Sequence, residues 1–106
     1  MGLTIDRSNP DLLNIDEATG MQFSYLVLSD EERDKGFVRP LRTSYQHVVC
    51  GNTTTMSQAI AETYARDPNF YGGTMCIACH DHFPVGEYGQ FVWVEGDTLT
   101  DIKVGT

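Results

Sequence analysis

Hydrophobic and polar positions divide this chain into short stretches of differing period, with no internal repeat and no low-complexity tract. Residues 1–20 are rich in Asp and Asn with weak periodicity, which predicts an irregular arm or loop containing a short strand. Residues 22–28 (Gln-Phe-Ser-Tyr-Leu-Val-Leu) are aromatic and aliphatic enough to read as a strand. The charged run from Ser29 to Gly36 predicts a turn, with one helical turn capped by Ser29 or Asp30 and ended by Gly36. Residues 37–49 read as extended, and Pro40 consigns that part to a sheet edge. The clearest helix covers residues 55–67. Thr54 or Thr55 can cap it, Met56, Ile60 and Tyr64 share one face with Ala59, and Pro68 ends it. Phe70-Tyr71-Gly72-Gly73 reads as a turn. Residues 90–94 and 98–104 read as two strands joined at Glu95-Gly96-Asp97, a hairpin signal. The fold class expected is α+β: a small antiparallel sheet, one helix, and loops that a metal could pin.

The length of 106 residues suits one domain, 1–106, and leaves little margin for a core to hold unaided, so a metal staple would be useful. No run of 18 apolar residues occurs, so no membrane span is expected. The first residues lack a basic segment followed by a long apolar one, which gives a cytoplasmic location as the expectation.

The formal charge of −8 is unevenly spread. Residues 1–35 carry eight acids and three bases, residues 67–106 six acids and one base, while residues 36–66 hold Arg39, Arg42 and Arg66 against Glu62. Such a chain is repelled by phosphate backbones and attracted to basic surfaces. Direct duplex binding is therefore not expected; a basic protein partner, itself handling nucleic acid, fits better. Solubility alone is the plainer reading of the same acids. Arg39, Arg42 and Arg66 are the candidates for a local anion or partner contact, although scattered arginines are more often surface charge.

All three cysteines and all three histidines fall between residues 47 and 82. His47-x-x-Cys50 and Cys76-x-x-Cys79 each place two ligands at the spacing that lets a tight turn aim both at one tetrahedral ion. Gly51 follows the first pair, as suits backbone that must bend around a metal. The expected cofactor is one structural Zn2+ held by His47, Cys50, Cys76 and Cys79, a closed set with no open position for water. His82, three residues beyond Cys79, is the alternative to His47.

Other chemistries compete for these residues. Cys76-Ile77-Ala78-Cys79-His80 is the c-type haem attachment pattern, with His80 as proximal ligand and Met56 or Met75 as distal candidates. The strand-like stretch after the motif and the separate Cys50 tell against it. A redox dithiol at Cys76 and Cys79 lacks the βαβ context it needs. Asp81-His82-Phe83-Pro84 resembles the Asp-His…Pro segment of HNH-type nucleases, but no His or Asn follows residue 82 to complete a catalytic metal site, and the proline is one residue too close. No Ser-His-Asp order, phosphate-binding glycine loop or paired-carboxylate signature is evident.

Gly36-Phe37-Val38-Arg39-Pro40, His47…Cys50, Ala61-Glu62-Thr63-Tyr64-Ala65-Arg66-Asp67-Pro68, Phe70-Tyr71-Gly72, Cys76-x-x-Cys79 and Pro84-Val85 together resemble small proteins of phages and phage-like metagenomic sequences with a zinc-ribbon-like centre. The resemblance covers roughly residues 36–94 and brings no established activity with it. It implies a phage-type source, hence the cytoplasm of a host cell. It also implies a non-enzymatic module that blocks or modulates host machinery, including defence nucleases of the CRISPR type.

Overall fold

The computed structural model describes residues 2–106. Its elements in chain order begin with β1 (Gly2–Thr4), a single 3-10 turn (Pro10–Leu12), β2 (Ser24–Leu26) and α1 (Asp30–Arg33). Next come β3 (Ser44–His47), β4 (Thr53–Thr55) and α2 (Gln58–Arg66). The chain closes with β5 (Gly73–Cys76), β6 (Asp81–Pro84), β7 (Phe91–Glu95) and β8 (Thr98–Lys103). The architecture is α+β, as expected, with one main helix. The largest sheet is antiparallel in the order β4-β3-β7-β8, and β5-β6 forms a separate antiparallel hairpin. The arm is mostly irregular with one short strand, as expected, and that strand, β1, pairs in parallel with β2, Leu3 opposite Tyr25.

Two boundaries differ from the sequence reading for physical reasons. Thr53, Thr54 and Thr55 form β4 and do not cap the helix. Their β-branched side chains favour extended backbone, and they pair with Gln46, Tyr45 and Ser44. Ser57 is the cap instead, its hydroxyl accepting from the Ile60 N–H at 3.4 Å. The helix then stops at Asp67, whose φ of −138° lies outside the helical region, because a residue preceding proline is pushed toward extended backbone. The extended stretch over residues 37–49 is also shorter than expected, reduced to β3, with Pro40 in irregular chain before it. Ser29 does cap α1, accepting from the Glu32 N–H at 3.3 Å.

The core lies between α2 and the sheet. Ile60, Ala61, Tyr64 and Ala65 are buried on the helix, so its inner face is centred on Ala61 and Tyr64, with Ala59 at its margin. Opposite them stand Tyr45 of β3 and Phe91 and Trp93 of β7. Tyr45 meets Phe91 and Trp93 edge-on, with ring centroids 5.3 and 6.4 Å apart, and Trp93 meets Tyr64 at 5.6 Å in the same manner. Each such aromatic contact adds about 0.5–1.5 kcal/mol beyond the area it removes from water. Arg33 of α1 reaches Glu62 of α2 at 2.5 Å and ties the two helices. No helix among the described residues is long and apolar enough to cross a membrane.

Candidate metal centre

The two ligand pairs occupy equivalent places on two hairpins. His47 is the last residue of β3, and Cys50 lies in the loop that returns to β4. Cys76 is the last residue of β5, and Cys79 lies in the loop that returns to β6. In each loop the residue after the second ligand donates its N–H to the carbonyl of the first: Gly51 to His47 at 2.7 Å, and His80 to Cys76 at 3.0 Å. Both of those residues have positive φ, +77° for Gly51 and +56° for His80. Glycine adopts that conformation freely, whereas His80 does so at a cost that the closed turn must offset. The haem reading made His80 a proximal ligand; it stands here as the exposed corner of a turn.

These two turns face each other. The candidate ligand atoms of His47, Cys50, Cys76 and Cys79 all lie within 4.8 Å of one another, close enough to hold a metal ion. Cys50 Sγ stands 3.6 Å from Cys76 Sγ, and Cys79 Sγ stands 3.6 Å from His47 Nδ1. The sulfur separation is far longer than the roughly 2.05 Å of a disulfide, and all three cysteines are free. His47 and Cys76 are buried, Cys50 is half-buried and Cys79 is exposed.

The surrounding residues fix the imidazole. Its ring stacks on Phe83 of β6 with centroids 4.4 Å apart and lies 4.9 Å from Phe91 of β7, so each of two sheets packs a phenyl ring against it. Nε2 is 2.6 Å from the Gln90 Oε1. A carbonyl oxygen can only accept, so Nε2 carries the proton and Nδ1 presents its lone pair toward Cys79. This is the arrangement by which an outer hydrogen bond sets the tautomer of a metal-ligating histidine. Gln90→Ala is therefore expected to weaken metal binding by about 10- to 100-fold with the fold retained, as read by competition with a chelator of known affinity.

The thiols do not behave alike. Hydrogen bonds from the backbone and then the side chain of Asn52 hold the Cys50 thiol down to about 6. Loss of water around its sulfur, followed by the nearby Cys76 and Cys50 sulfurs, pushes Cys79 up to about 11. Crowded sulfurs resist sharing negative charge, and a cation among them would relieve that repulsion.

The remaining sequence candidates lie elsewhere. His82 sits on β6 with Nε2 2.8 Å from the Tyr25 hydroxyl, and burial lowers its pKa. It therefore does not stand in place of His47 among the clustered ligand atoms. Arg42 is buried against the face of Trp93, its guanidinium carbon 5.1 Å from the ring centroid. Arg39 donates to the Thr106 carbonyl at 3.0 Å and lines a small crevice with Arg42. Arg66 is directed to the Gly36 carbonyl at 3.5 Å and is not part of that crevice. Gln90 and Asn52 escaped the sequence reading. Asn52 follows the Cys50-Gly51 turn and was within reach of a local argument, but Gln90 is 43 residues from His47 and only the pairing of β3 with β7 brings it close.

No protein-family model, curated protein or solved structure matches this chain.

Proposed function

We propose that His47, Cys50, Cys76 and Cys79 hold one zinc ion as a structural cross-link in a zinc-ribbon-like centre, and that the domain works by binding a basic protein. The observation that carries this is the donor set itself. Three sulfurs and one imidazole nitrogen suit a soft-to-borderline ion, and four protein ligands leave no open position for substrate or water. Tetrahedral bonds of about 2.3 Å to sulfur and 2.0–2.1 Å to nitrogen imply ligand separations of about 3.6–3.8 Å, which the two 3.6 Å distances fit. When bound, zinc would supply cohesion between the two hairpins and no reaction chemistry. The pairing of Cys76 with Cys50 also favours a shared ion over haem, which would need Cys76 and Cys79 turned together toward a porphyrin.

The surface supports the binding role. Ion pairs among the described residues join Arg33 to Asp30 and Glu62, and Lys35 to Glu32. Acids such as Asp6, Asp11, Glu17, Asp97 and Asp101 stand exposed outside those pairs, giving a field that draws in a positively charged protein. The phage resemblance makes that partner a nucleic-acid-handling host protein that the domain blocks or modulates.

Metal analysis and an absorption spectrum of the purified chain test the first half: about one zinc per chain and no Soret band are expected, and a red sample overturns it. For the second half, the chain is immobilised and offered host extract at about 0.05 M salt. Basic proteins should bind and then elute by about 0.5 M, where screening is nearly complete. Retention that salt leaves unchanged overturns the charge argument, as does metal-dependent cleavage of DNA or RNA by the chain.

A further inference from the structure

Arg39 and Arg42 line one crevice with Trp93, Ala61, Ala65 and Pro68, and none of the four metal ligands borders it. Arg42 is only 8% exposed, yet its guanidinium makes no hydrogen bond to a described residue, and none of the ion pairs includes it. The Trp93 ring, 5.1 Å from the guanidinium carbon, occupies one flat face of the group. Stacking of that kind leaves the in-plane N–H donors unused. Nε is enclosed and out of reach of any ligand. The two terminal nitrogens are not, and they are the donors that Arg42 offers to the crevice.

A charge held this way needs a counterpart. Loss of water works against the ionised form of Arg42, the neighbouring charge of Arg39 adds to the cost, and the unpaired Glu95 is the one opposing influence. Arg39 commits Nε to the Thr106 carbonyl and Nη1 to the Val38 carbonyl, both at 3.0 Å, which leaves Nη2. Two like charges thus share one crevice with terminal donors to spare. The crevice, of about 10 Å³, admits one water-sized group. It shares Arg39, Pro68, Gly105 and Thr106 with an open groove of about 450 Å³, which Val38 and Glu87 also border.

We infer that this crevice binds a small monocarboxylate, its carboxylate held by the terminal nitrogens of Arg42 and Arg39 and its body lying in the adjoining groove. A planar carboxylate matches the guanidinium fork, and one of its oxygens fits the narrow part. A phosphate dianion would have to lose water from three oxygens in a space that takes one group. Glu87 in the groove and the net charge of −8 also oppose a second negative charge. Val38 and Pro68 favour a short apolar body.

Isobutyrate and isobutyramide test this as a pair of matched shape that differ in charge. Each is titrated into the full chain at neutral pH and low salt while NMR follows the indole N–H of Trp93, the only tryptophan, and the amides of Arg39, Arg42 and Gly105. Isobutyrate is expected to move these resonances and to bind at least about tenfold more tightly than the amide. Arg42→Lys keeps the charge without the fork and should weaken isobutyrate at least about tenfold. Arg39→Gln, an exposed change, should weaken it about three- to tenfold with the thermal midpoint little altered. Glu95→Gln removes a competing carboxylate and should tighten binding. Equal binding of the two probes, tighter binding of inorganic phosphate than of isobutyrate, or no shift at these resonances would each overturn the assignment. So would a Glu95→Gln chain that loses stability without gaining affinity, because Glu95 would then be the partner Arg42 already has.

Discussion

Cys76→Ser is expected to leave the chain without a cooperative fold, with loss of bound metal and collapse of amide shift dispersion in the same sample. Cys76 is fully buried and ends β5, so it is the ligand through which the second hairpin meets the core. Structural zinc contributes roughly 10–16 kcal/mol of apparent binding energy in small zinc-dependent folds near neutral pH. That equals or exceeds the roughly 5–15 kcal/mol by which whole domains are stable. A serine hydroxyl replaces the thiolate poorly, and the remaining three ligands would hold the ion far more weakly. His82→Ala should keep both metal and fold, since His82 touches Tyr25 and not the ligand set. A folded, zinc-loaded Cys76→Ser protein would refute the cross-link.

Acid should act in the same direction. Cys50 is already depressed to about 6 by its Asn52 hydrogen bonds, and a bound cation would depress the ligating thiols together, reversing the rise of Cys79. The folded form then binds fewer protons than the unfolded chain, whose thiols titrate near 8.5. Stability from this source is present above the unfolded value and is lost as pH falls through the depressed one. Metal release and unfolding are thus expected together between about pH 6 and 4, and stability independent of pH in that range would contradict the linkage.

Phe91→Ala carries the second large effect, a destabilisation of about 3–5 kcal/mol measured by denaturant unfolding. Phe91 is fully buried at the meeting point of three structures: the Tyr45 edge, the His47 ring and the Phe83 ring, with centroids at 5.3, 4.9 and 6.3 Å. Truncation to a methyl group leaves a cavity that surrounding β-strands cannot close without breaking the β3-β7 ladder. It also frees one side of the His47 imidazole. Metal affinity should therefore fall along with stability, whereas Trp93→Phe, further from the imidazole, should lower stability with little effect on affinity. Equal metal affinity in wild type and Phe91→Ala would show that the ring packing does not position the ligand.

The sequence made the site more legible than the sheet around it. Two ligand pairs, each spaced by two residues, encode a turn whatever surrounds them, because only a turn can converge both side chains. The hairpin at Gly96-Asp97 and the helix ending at Pro68 were legible for the same reason: the chemistry of the punctuation is local. The β4, β5 and β6 strands were not. Thr53-Thr54-Thr55 satisfies cap chemistry and strand chemistry equally well, and only its pairing with β3 decides between them. Gly73-Thr74-Met75-Cys76 looks like the tail of a glycine turn until Asp81-His82-Phe83-Pro84 lies beside it. The parallel pairing of β1 with β2 spans the whole N-terminal arm, and no period within residues 1–20 announces it. Gly20 shows how closely that arm is fitted: a Cβ there would stand 1.8 Å from the His80 carbonyl oxygen, behind the second metal loop.

The equivalence of the two turns also sets an order of assembly. Joining two ligands within one turn closes a loop of only a few residues, but Cys50 and Cys76 are 26 residues apart and His47 and Cys79 are 32 apart. Closing loops of that length costs about 3 kcal/mol of chain entropy by the usual logarithmic scaling. If the four residues hold an ion, an unfolded chain would meet it first through one pair, and the second pair would join only once the larger loop, which carries α2, has closed. Under the proposed coordination the ion would be a latecomer to its own site, half its ligands engaged before folding and the other half only once folding has finished.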